Sequence, residues 1–449
     1  MKDLFTIQAE IAQKVAQQLH ARISLVEKLS IERPPTADLT AFDLYSRAKN
    51  LLLAGSYRID GEANLLQAVD LLNQAAAHDQ SFFPAYCQLA WIHDQIYFFG
   101  DDHTPARLAL AEAAIQTAFR LRPDAGEAHL ARAQNLYWGY LNYDAALAEL
   151  EAVRKTLPND ARVFELKGYI ERRQGKPQEA LRDLNRAIDL DPRNFLTLQQ
   201  ISISYDTLRR YAEEKSVLDA ALAIEPNDAE TKVSRAFVEF DWKADTQPLH
   251  QLIDELRAKA PGEVQSVSDS WLTCALAERD PAAAANALMA LGENSFGSET
   301  LKFRPRFIEG LIARMTKDER KAQSAFIAAR ADQEKIVQAQ PNYGPVLCML
   351  GLIDAALGRK EEALHEGRRA IELLPVEKDA VNGPRMIVGF AMIAAWVGDK
   401  DLACQQLAVA IRSPGFPSYG RLKLMPFWDP LRGDPRFEKI VASLAPTEN

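Results

Sequence analysis

The sequence is poor in cysteine and has no apolar run long enough to cross a bilayer. Its four cysteines, Cys87, Cys274, Cys348 and Cys404, lie far apart and form no Cys-x-x-Cys pair. This spacing predicts reduced thiols rather than a disulfide framework. The longest apolar stretch, residues 386–397, falls short of the roughly 20 residues that a membrane-spanning helix needs. Since no secretory signal precedes the first helix, we expect a cytoplasmic location.

The sequence also lacks a large charge excess and the common catalytic motifs. A net charge of -9 over 449 residues leaves no broad basic surface, so we expect no nucleic-acid partner for this chain alone. A Gly-rich phosphate loop, His-Glu-x-x-His, Gly-x-Ser-x-Gly and a kinase catalytic loop are all missing. The cluster Asp101, Asp102 and His103 is interpreted as a solvated turn, because no further ligand is close in sequence. The sequence therefore predicts a non-enzymatic protein with neither a cofactor nor a metal site.

What the sequence does contain is a hydrophobic pattern that recurs at a fixed interval. Three copies, 34 residues apart, end in a proline, at Pro158, Pro192 and Pro226. Ala146 and Ala180 keep a small residue at matching positions, and Glu214 breaks that rule in the next copy. A period of about 34 residues with small residues at fixed helical positions and a proline stop is typical of the tetratricopeptide repeat.

The pattern extends in both directions and predicts the domain organisation. We expect an all-α fold, a right-handed α-solenoid of about ten tetratricopeptide-like helix pairs. Aromatic residues near the C-terminus are expected to cover the apolar end of the last pair. The predicted segments are an N-terminal amphipathic helix in residues 1–32, a linker in 33–40, repeats one to six in 41–265, a degenerate repeat in 266–302, repeats eight to ten in 303–414 and a capping tail in 415–449.

Both ends of the array resemble a particular family. Residues 3–12, DLFTIQAEIA, look like the closing helix of the TolB-like domain of certain bacterial signalling proteins. Residues 35–45 resemble the linker and first helix that follow that domain, and residues 427–437, FWDPLRGDPRF, resemble the usual end of the repeats there. In that family the array follows a kinase, an adenylyl cyclase or a winged-helix module, none of which this sequence contains. The resemblance implies a bacterial signalling context.

The tetratricopeptide resemblance also implies where a partner binds. In such arrays the first helix of each pair lines a concave groove, which takes a peptide or protein segment. Carried onto this sequence, the groove residues are Trp91, Asp94, Asn135, Trp138, Arg162, Tyr169, Arg172, Arg173, Gln199, Asp206 and Phe237. Arg172 and Arg173 with the nearby aromatic rings would form a basic patch able to hold a carboxylate. The alternative is that these side chains pack between neighbouring helices or are merely solvated.

Two functions from different classes remain open on the sequence. The first is a protein–protein interaction scaffold that binds a peptide or protein segment in the concave groove. The second is the regulatory part of a signalling enzyme, a kinase or an adenylyl cyclase, or of a winged-helix transcription regulator, whose output domain is absent from this sequence. A catalytic domain encoded upstream of residue 1 would favour the second.

Overall fold

The computed structural model describes residues 2–18, 33–55, 61–297, 300–413 and 415–446. These residues fall into two compact units, Met1–Ile170 and Glu171–Asn449. Each unit is a succession of antiparallel helix pairs, so the all-α solenoid class predicted from the repeat is confirmed.

The first unit contains one leading helix and then helix pairs. Its α-helices are α1 (Lys2–Gln18), α2 (Leu39–Gly55), α3 (Gly61–His78), α4 (Phe83–Phe99), α5 (Pro105–Leu121), α6 (Gly126–Trp138), α7 (Tyr143–Thr156) and the start of α8 (Ala161–Arg173). In α1 the Phe5 ring meets Phe42 edge-on at 4.9 Å, whereas Ile7, Ile11 and Val15 are exposed. The amphipathic face predicted for this helix is therefore only partly covered among the described residues.

The second unit continues the array and adds a short sheet. Its α-helices are the end of α8, α9 (Pro177–Leu190), α10 (Phe195–Thr207), α11 (Tyr211–Ile224), α12 (Ala229–Lys243), α13 (Gln247–Lys259), α14 (Ser268–Ala277), α15 (Pro281–Leu291), α16 (Pro305–Met315), α17 (Glu319–Ala339), α18 (Gly344–Ala356), α19 (Lys360–Leu373), α20 (Asn382–Trp396), α21 (Lys400–Ala410), α22 (Tyr419–Leu424) and α23 (Pro435–Ser443). Two 3-10 turns cover Pro261–Glu263 and Pro426–Leu431.

Local sequence explains where the helices begin and end. Helices α7, α9 and α11 stop two residues before the periodic prolines, which cannot continue a helical hydrogen-bond ladder. Several helices begin after a side chain that accepts backbone N–H groups of the first turn, such as Asn142, Asp228 and Asp318. Such caps satisfy donors that the helix itself leaves without partners. Local sequence signals therefore set both the start and the end of these helices.

The turn inside most helix pairs contains one residue in the left-handed region. Glycine holds this position at Gly175, Gly358 and Gly398. Elsewhere in the array the same kind of position is held by Leu141, Arg209, Ala244, Arg279 and Lys317, with φ between 50° and 60°. From Leu141 to Arg279 these turns recur at the interval of the repeat. A residue other than glycine in this conformation costs about 1–2 kcal/mol. The array nevertheless keeps the same turn at these five positions.

Residues 266–302, predicted as a degenerate repeat, combine a helix pair with a strand pair. Helices α14 and α15 form the pair, and β1 (Phe296–Gly297) and β2 (Lys302–Phe303) follow as antiparallel strands. Phe296 lies opposite Phe303 in the register, and their rings are 5.7 Å apart. The helical periodicity did not predict this sheet, because two-residue strands leave no alternation to detect.

The tail of the second unit packs on two distant parts of that unit. The turn Pro426–Leu431 packs on α20, and α23 packs on α21, the last helix pair. Helix α22 instead packs on α12, almost two hundred residues earlier in the chain. Trp428 and Phe437 are fully buried. The tail therefore links α12 to the last helix pair of the unit.

Candidate functional site

The second unit encloses a cavity of about 290 Å³ between α10, α12, α14, α20 and the tail. Three carboxylates, two guanidinium groups and a set of aromatic rings form its wall. They include Asp206, Asp241, Asp269, Arg385, Arg421 and Phe416. A volume at the low end of ligand pockets suits a side chain or a small molecule.

The carboxylates come from three successive first helices of pairs. Asp206 lies at the end of α10, Asp241 near the end of α12 and Asp269 in the first turn of α14. Burial raises the pKa of Asp206, and the nearby charge of Asp241 raises it further. Burial also raises the pKa of Asp269 to about 6, although its Oδ1 accepts the Gly297 N–H at 2.7 Å. The cavity therefore concentrates acidic groups whose charged forms lack the solvation of water.

Asp206 is the carboxylate least engaged by the protein. Among the described residues its side chain takes part in no direct hydrogen bond, and the charges that lower its pKa are those of Arg421, Arg385 and Arg209. Asp241, in contrast, accepts from the Ser418 hydroxyl, and the Arg421 Nε lies 3.5 Å from its Oδ1. A polar group that faces a cavity in this way is available to a ligand.

The arginines are positioned by aromatic and amide neighbours. The Arg421 guanidinium lies 4.9 Å from the Phe237 ring centroid and 5.7 Å from that of Phe416. Arg385 donates from Nη1 to Asn382 Oδ1 at 3.2 Å. Stacking and charge pairing hold Arg421 against the wall beside Asp241. Three carboxylates therefore face two guanidinium groups, which leaves the cavity acidic.

Glu214 adds a fourth acidic group beside the cavity wall. It lies on α11 in place of the small residue that the repeat prescribes, and it is 9% exposed with its Oε2 lacking a hydrogen-bond partner among the described residues. Burial and the charges of Asp206 and Asp241 raise the pKa of Glu214 to about 9. Burial and these neighbours therefore favour the protonated form of Glu214. The exception in the repeat pattern lies next to the site.

The apolar side of the cavity is aromatic. Phe303 stacks on Phe427 with centroids 5.0 Å apart and planes 20° from parallel. Trp396 stacks on Phe427 in turn at 6.3 Å and donates from Nε1 to the Phe427 carbonyl at 2.9 Å. Met392 and Met425 complete this side. An apolar stem with a charged end would find both aromatic and charged groups in this lining.

Two left-handed turn residues fasten the tail that closes the cavity. Arg209 donates from Nη2 to the Gly415 carbonyl at 3.0 Å. Arg279 donates to the Leu424 carbonyl at 2.8 Å and to Asp429 Oδ1 at 2.6 Å. Both left-handed turn residues thus bind the tail through their side chains.

In the first unit, the predicted groove residues are held by contacts within the unit. The Trp91 and Trp138 rings lie 6.3 Å apart, and Trp138 stacks on Phe98 at 5.6 Å. The pair Asp94 and Asn135 is fully buried, with Asn135 Nδ2 donating to Asp94 Oδ1 at 2.8 Å. Burial raises the pKa of Asp94 well above its usual range.

The remaining groove residues of this unit differ in exposure. The Arg162 side chain is 59% exposed and forms an ion pair with Asp160 at 2.5 Å. Tyr169 packs against the core beside Leu166 and Ile170. Arg162 is therefore accessible to a partner, whereas Tyr169 contributes to packing.

In the second unit, Arg172 and Arg173 do not form an exposed basic patch. Arg172 is 8% exposed and donates to the Gln200 carbonyl at 3.0 Å and to Ser204 Oγ at 3.1 Å. Arg173 is 6% exposed and forms an ion pair with Asp379 at 2.7 Å. The sequence could not reveal this, because the acceptor for Arg173 lies about two hundred residues away along the chain.

The other predicted residues of this unit lie closer to the cavity. Gln199 donates from Nε2 to Thr231 Oγ1 at 2.6 Å, so its amide links α10 to α12. Phe237 supports Arg421, and Asp206 lines the cavity itself. Sequence reasoning missed Asp241, Asp269 and both cavity arginines. Asp241 lies near the end of the first helix of its pair, as Asp206 does in the preceding pair, and this shared position could have indicated it. The two arginines occupy no position that recurs in the repeat.

Comparisons with known proteins agree with the repeat. The family model described as "Tetratricopeptide repeat" matches residues 161–194, so the chain contains this repeat within its array of helix pairs. No curated protein matches the sequence. No helix among the described residues is both long and apolar enough to cross a membrane.

Solved structures with similar helix pairs come from several sources. A thermophilic tetratricopeptide protein of Thermus thermophilus is 15% identical, with 44% of this chain and 98% of that chain covered and a TM-score of 0.38. PilF of Pseudomonas aeruginosa is 17% identical over 50% and 93%, with a TM-score of 0.33. Human IFIT1, as a dimer with m7Gppp-AAAA, is 15% identical over 82% and 76%, with a TM-score of 0.43.

Proposed function

We propose that this chain is a non-catalytic protein-interaction scaffold whose second unit takes a basic side chain of a partner segment. The observation that carries the proposal is the acidic, aromatic-walled cavity around Asp206, Asp241 and Asp269. The tetratricopeptide repeat at residues 161–194 supports it, since proteins of this kind bind other proteins. The bacterial signalling context and the cytoplasmic location rest on the resemblance of the chain ends and on sequence, and are part of the same proposal.

The chemistry of the cavity selects the kind of side chain. A lysine or arginine places a charged end on an apolar stem, and the cavity is lined by both carboxylates and aromatic rings. A cation beside Asp206 would offset its repulsion with Asp241, which is one of the causes of its raised pKa. An apolar side chain would add no partner for the Asp206 carboxylate, and an acidic one would add to the repulsion there.

The groove residues of the first unit belong to the same proposal as a second contact surface. Arg162 is exposed enough to meet a partner, and Trp91 is only partly buried.

The test is binding of fluorescein-labelled ten-residue peptides with one central lysine or arginine, measured by fluorescence anisotropy on the full chain. Matched peptides carry norleucine at the central position. We expect the basic peptides to bind at least about tenfold more tightly, equivalent to about 1.4 kcal/mol. Asp206→Asn should remove the preference, and Asp189→Asn, an exposed carboxylate on α9, should leave it unchanged. Equal binding of basic and norleucine peptides would refute the proposed site.

A further inference from the structure

A second cluster of polar side chains lies away from the cavity, where α13 meets α14. Each helix supplies two of its members, four residues apart: His250 and Asp254 from α13, Cys274 and Glu278 from α14 and its C-terminal cap. Residues at this spacing project from the same face of a helix. Two such faces therefore bring a nitrogen, a sulfur and carboxylate oxygens together.

The distances within the cluster approach those of a metal site. Donor atoms of His250, Cys274 and Glu278 all lie within 4.8 Å of one another, and His250 Nδ1 is 2.8 Å from Glu278 Oε2. Around a tetrahedral zinc ion with bonds of roughly 2.0–2.3 Å, the donors are roughly 3.3–3.8 Å apart. Small side-chain movements would therefore bring the three donors to a common centre.

We propose that His250 Nδ1, Cys274 Sγ and a Glu278 carboxylate oxygen bind a divalent transition-metal ion, with Zn²⁺ the best match. Imidazole, thiolate and carboxylate together suit zinc, whereas Mg²⁺ and Ca²⁺ prefer all-oxygen sites. Three protein ligands leave a fourth position for water. On binding, the metal displaces the thiol proton of Cys274, which is released to solvent.

The fourth residue of the cluster orients the histidine. His250 Nε2 lies 3.4 Å from Asp254 Oδ2, on the side of the ring opposite Glu278. An Nε2–H bonded to a carboxylate fixes the tautomer that leaves Nδ1 free for the metal. Asp254 in turn accepts from Arg257 Nη1 at 3.1 Å, so its position is fixed from a second direction. Asp254 is therefore a positioning residue rather than a ligand.

The cluster is accessible from one side and enclosed on the other. The His250 side chain is 47% exposed and that of Glu278 22% exposed, whereas Cys274 is 2% exposed. An ion can thus enter from solvent past His250 and reach the sulfur. The cluster lies outside the cavity, so the metal site does not depend on the proposed partner binding.

Binding of Co²⁺ to the full chain tests the site, because a cobalt–thiolate bond gives an absorption band that carboxylates and imidazole do not. We expect one equivalent of Co²⁺ to produce this band and Zn²⁺ to abolish it by displacement. Cys274→Ser should remove the band. Cys404→Ser, which changes another buried helical cysteine close to acidic residues, should retain it.

A second variant keeps the test decisive if Cys274→Ser folds poorly. His250→Ala changes an exposed side chain, so it should fold normally and lose at least tenfold in Zn²⁺ affinity by calorimetry. Asp254→Asn should weaken affinity by about 10–100-fold, as changes to outer-shell partners do, without removing the cobalt–thiolate band. A band that persists in Cys274→Ser, or unchanged affinity in His250→Ala, would refute the site and leave an ordinary His250–Glu278 ion pair beside a core thiol.

Discussion

Arg173 and Asp379 form a buried ion pair that joins residues about two hundred positions apart in the second unit. The Arg173 Nη1 donates to Asp379 Oδ2 at 2.7 Å, and the side chains are 6% and 1% exposed. Asp379 Oδ1 also accepts the N–H groups of Val381 and Asn382, and the Ala380 N–H donates to the Arg173 carbonyl. The Asp379 carboxylate thus has an ion-pair partner at Oδ2 and two backbone hydrogen bonds at Oδ1.

Loss of this ion pair should destabilise the second unit. Arg173→Ala leaves Asp379 charged and buried, so we expect the free energy of unfolding to fall by about 3–5 kcal/mol. Chemical denaturation followed by circular dichroism measures the change. Arg182→Ala, which removes a 72% exposed arginine of α9, should change stability by less than about 0.5 kcal/mol. If both variants unfolded alike, the pair would have no special role.

Because of the Arg173–Asp379 ion pair, charge reversal at Arg172 and Arg173 would disturb folding. Replacing Arg172 and Arg173 by glutamate would place two acidic groups at buried positions, one of them against Asp379. A loss of partner binding in that double variant would therefore report on folding. Asp206→Asn probes binding with far less disturbance to packing.

Ala187 is a small residue of α9, expected to let the next repeat dock, and it is 1% exposed. Ala187→Glu places a carboxylate where no water or partner can reach it, so we expect a loss of several kcal/mol in unfolding free energy. Ala187→Gly, which removes only a methyl group, should cost about 1 kcal/mol. Thermal unfolding separates the two; an unchanged melting curve for the glutamate variant would contradict the packing.

Lys317 holds the left-handed turn position between α16 and α17 with an exposed side chain. Lys317→Gly removes the backbone cost of about 1–2 kcal/mol, offset in part by the greater freedom of glycine when unfolded. We expect a net gain of up to about 1 kcal/mol. The matched control is Lys335→Gly, within α17 and 76% exposed, which should lose about 1 kcal/mol. Destabilisation by both substitutions would argue against strain at this turn.

The acidic cavity should make stability fall as pH rises. For Asp269 the folded pKa of about 6 lies above the unfolded value of about 3.9. Between these two pKa values the folded state binds more protons than the unfolded state. The stabilisation present below about pH 4 is therefore lost as the pH rises to about 6. Asp206, Asp241 and Glu214 have raised pKa values as well, which gives the same sign.

Denaturation across pH 4 to 8 tests this dependence. Asp206→Asn should flatten the decline, raising stability near pH 8 relative to the unmodified chain by on the order of 1 kcal/mol. Asp189→Asn is the control, because this exposed carboxylate lies on α9 away from the cavity. An unchanged slope in the Asp206 variant would mean that its carboxyl titrates as in the unfolded chain.

The sequence predicted the parts of the fold that repeat. Pro158, Pro192 and Pro226 located the helix ends to within two residues, because a proline stop is a local effect. The tail contact between Ser418 and Asp241 could not be predicted, since it joins distant segments with no shared periodicity. Glu214 shows the intermediate case: the sequence marked it as an exception, and only the structure placed it beside acidic neighbours.

The tail contacts also set an order of events during synthesis. Helices α10, α12 and α14 can pair with their neighbours as soon as each leaves the ribosome, because their contacts are local. The cavity wall is complete only when residues 415–428, which include Ser418 and Arg421, arrive and pack on α12. A nascent chain therefore carries the acidic residues long before it can hold a ligand, and binding competence comes only after residues 415–428 have been translated.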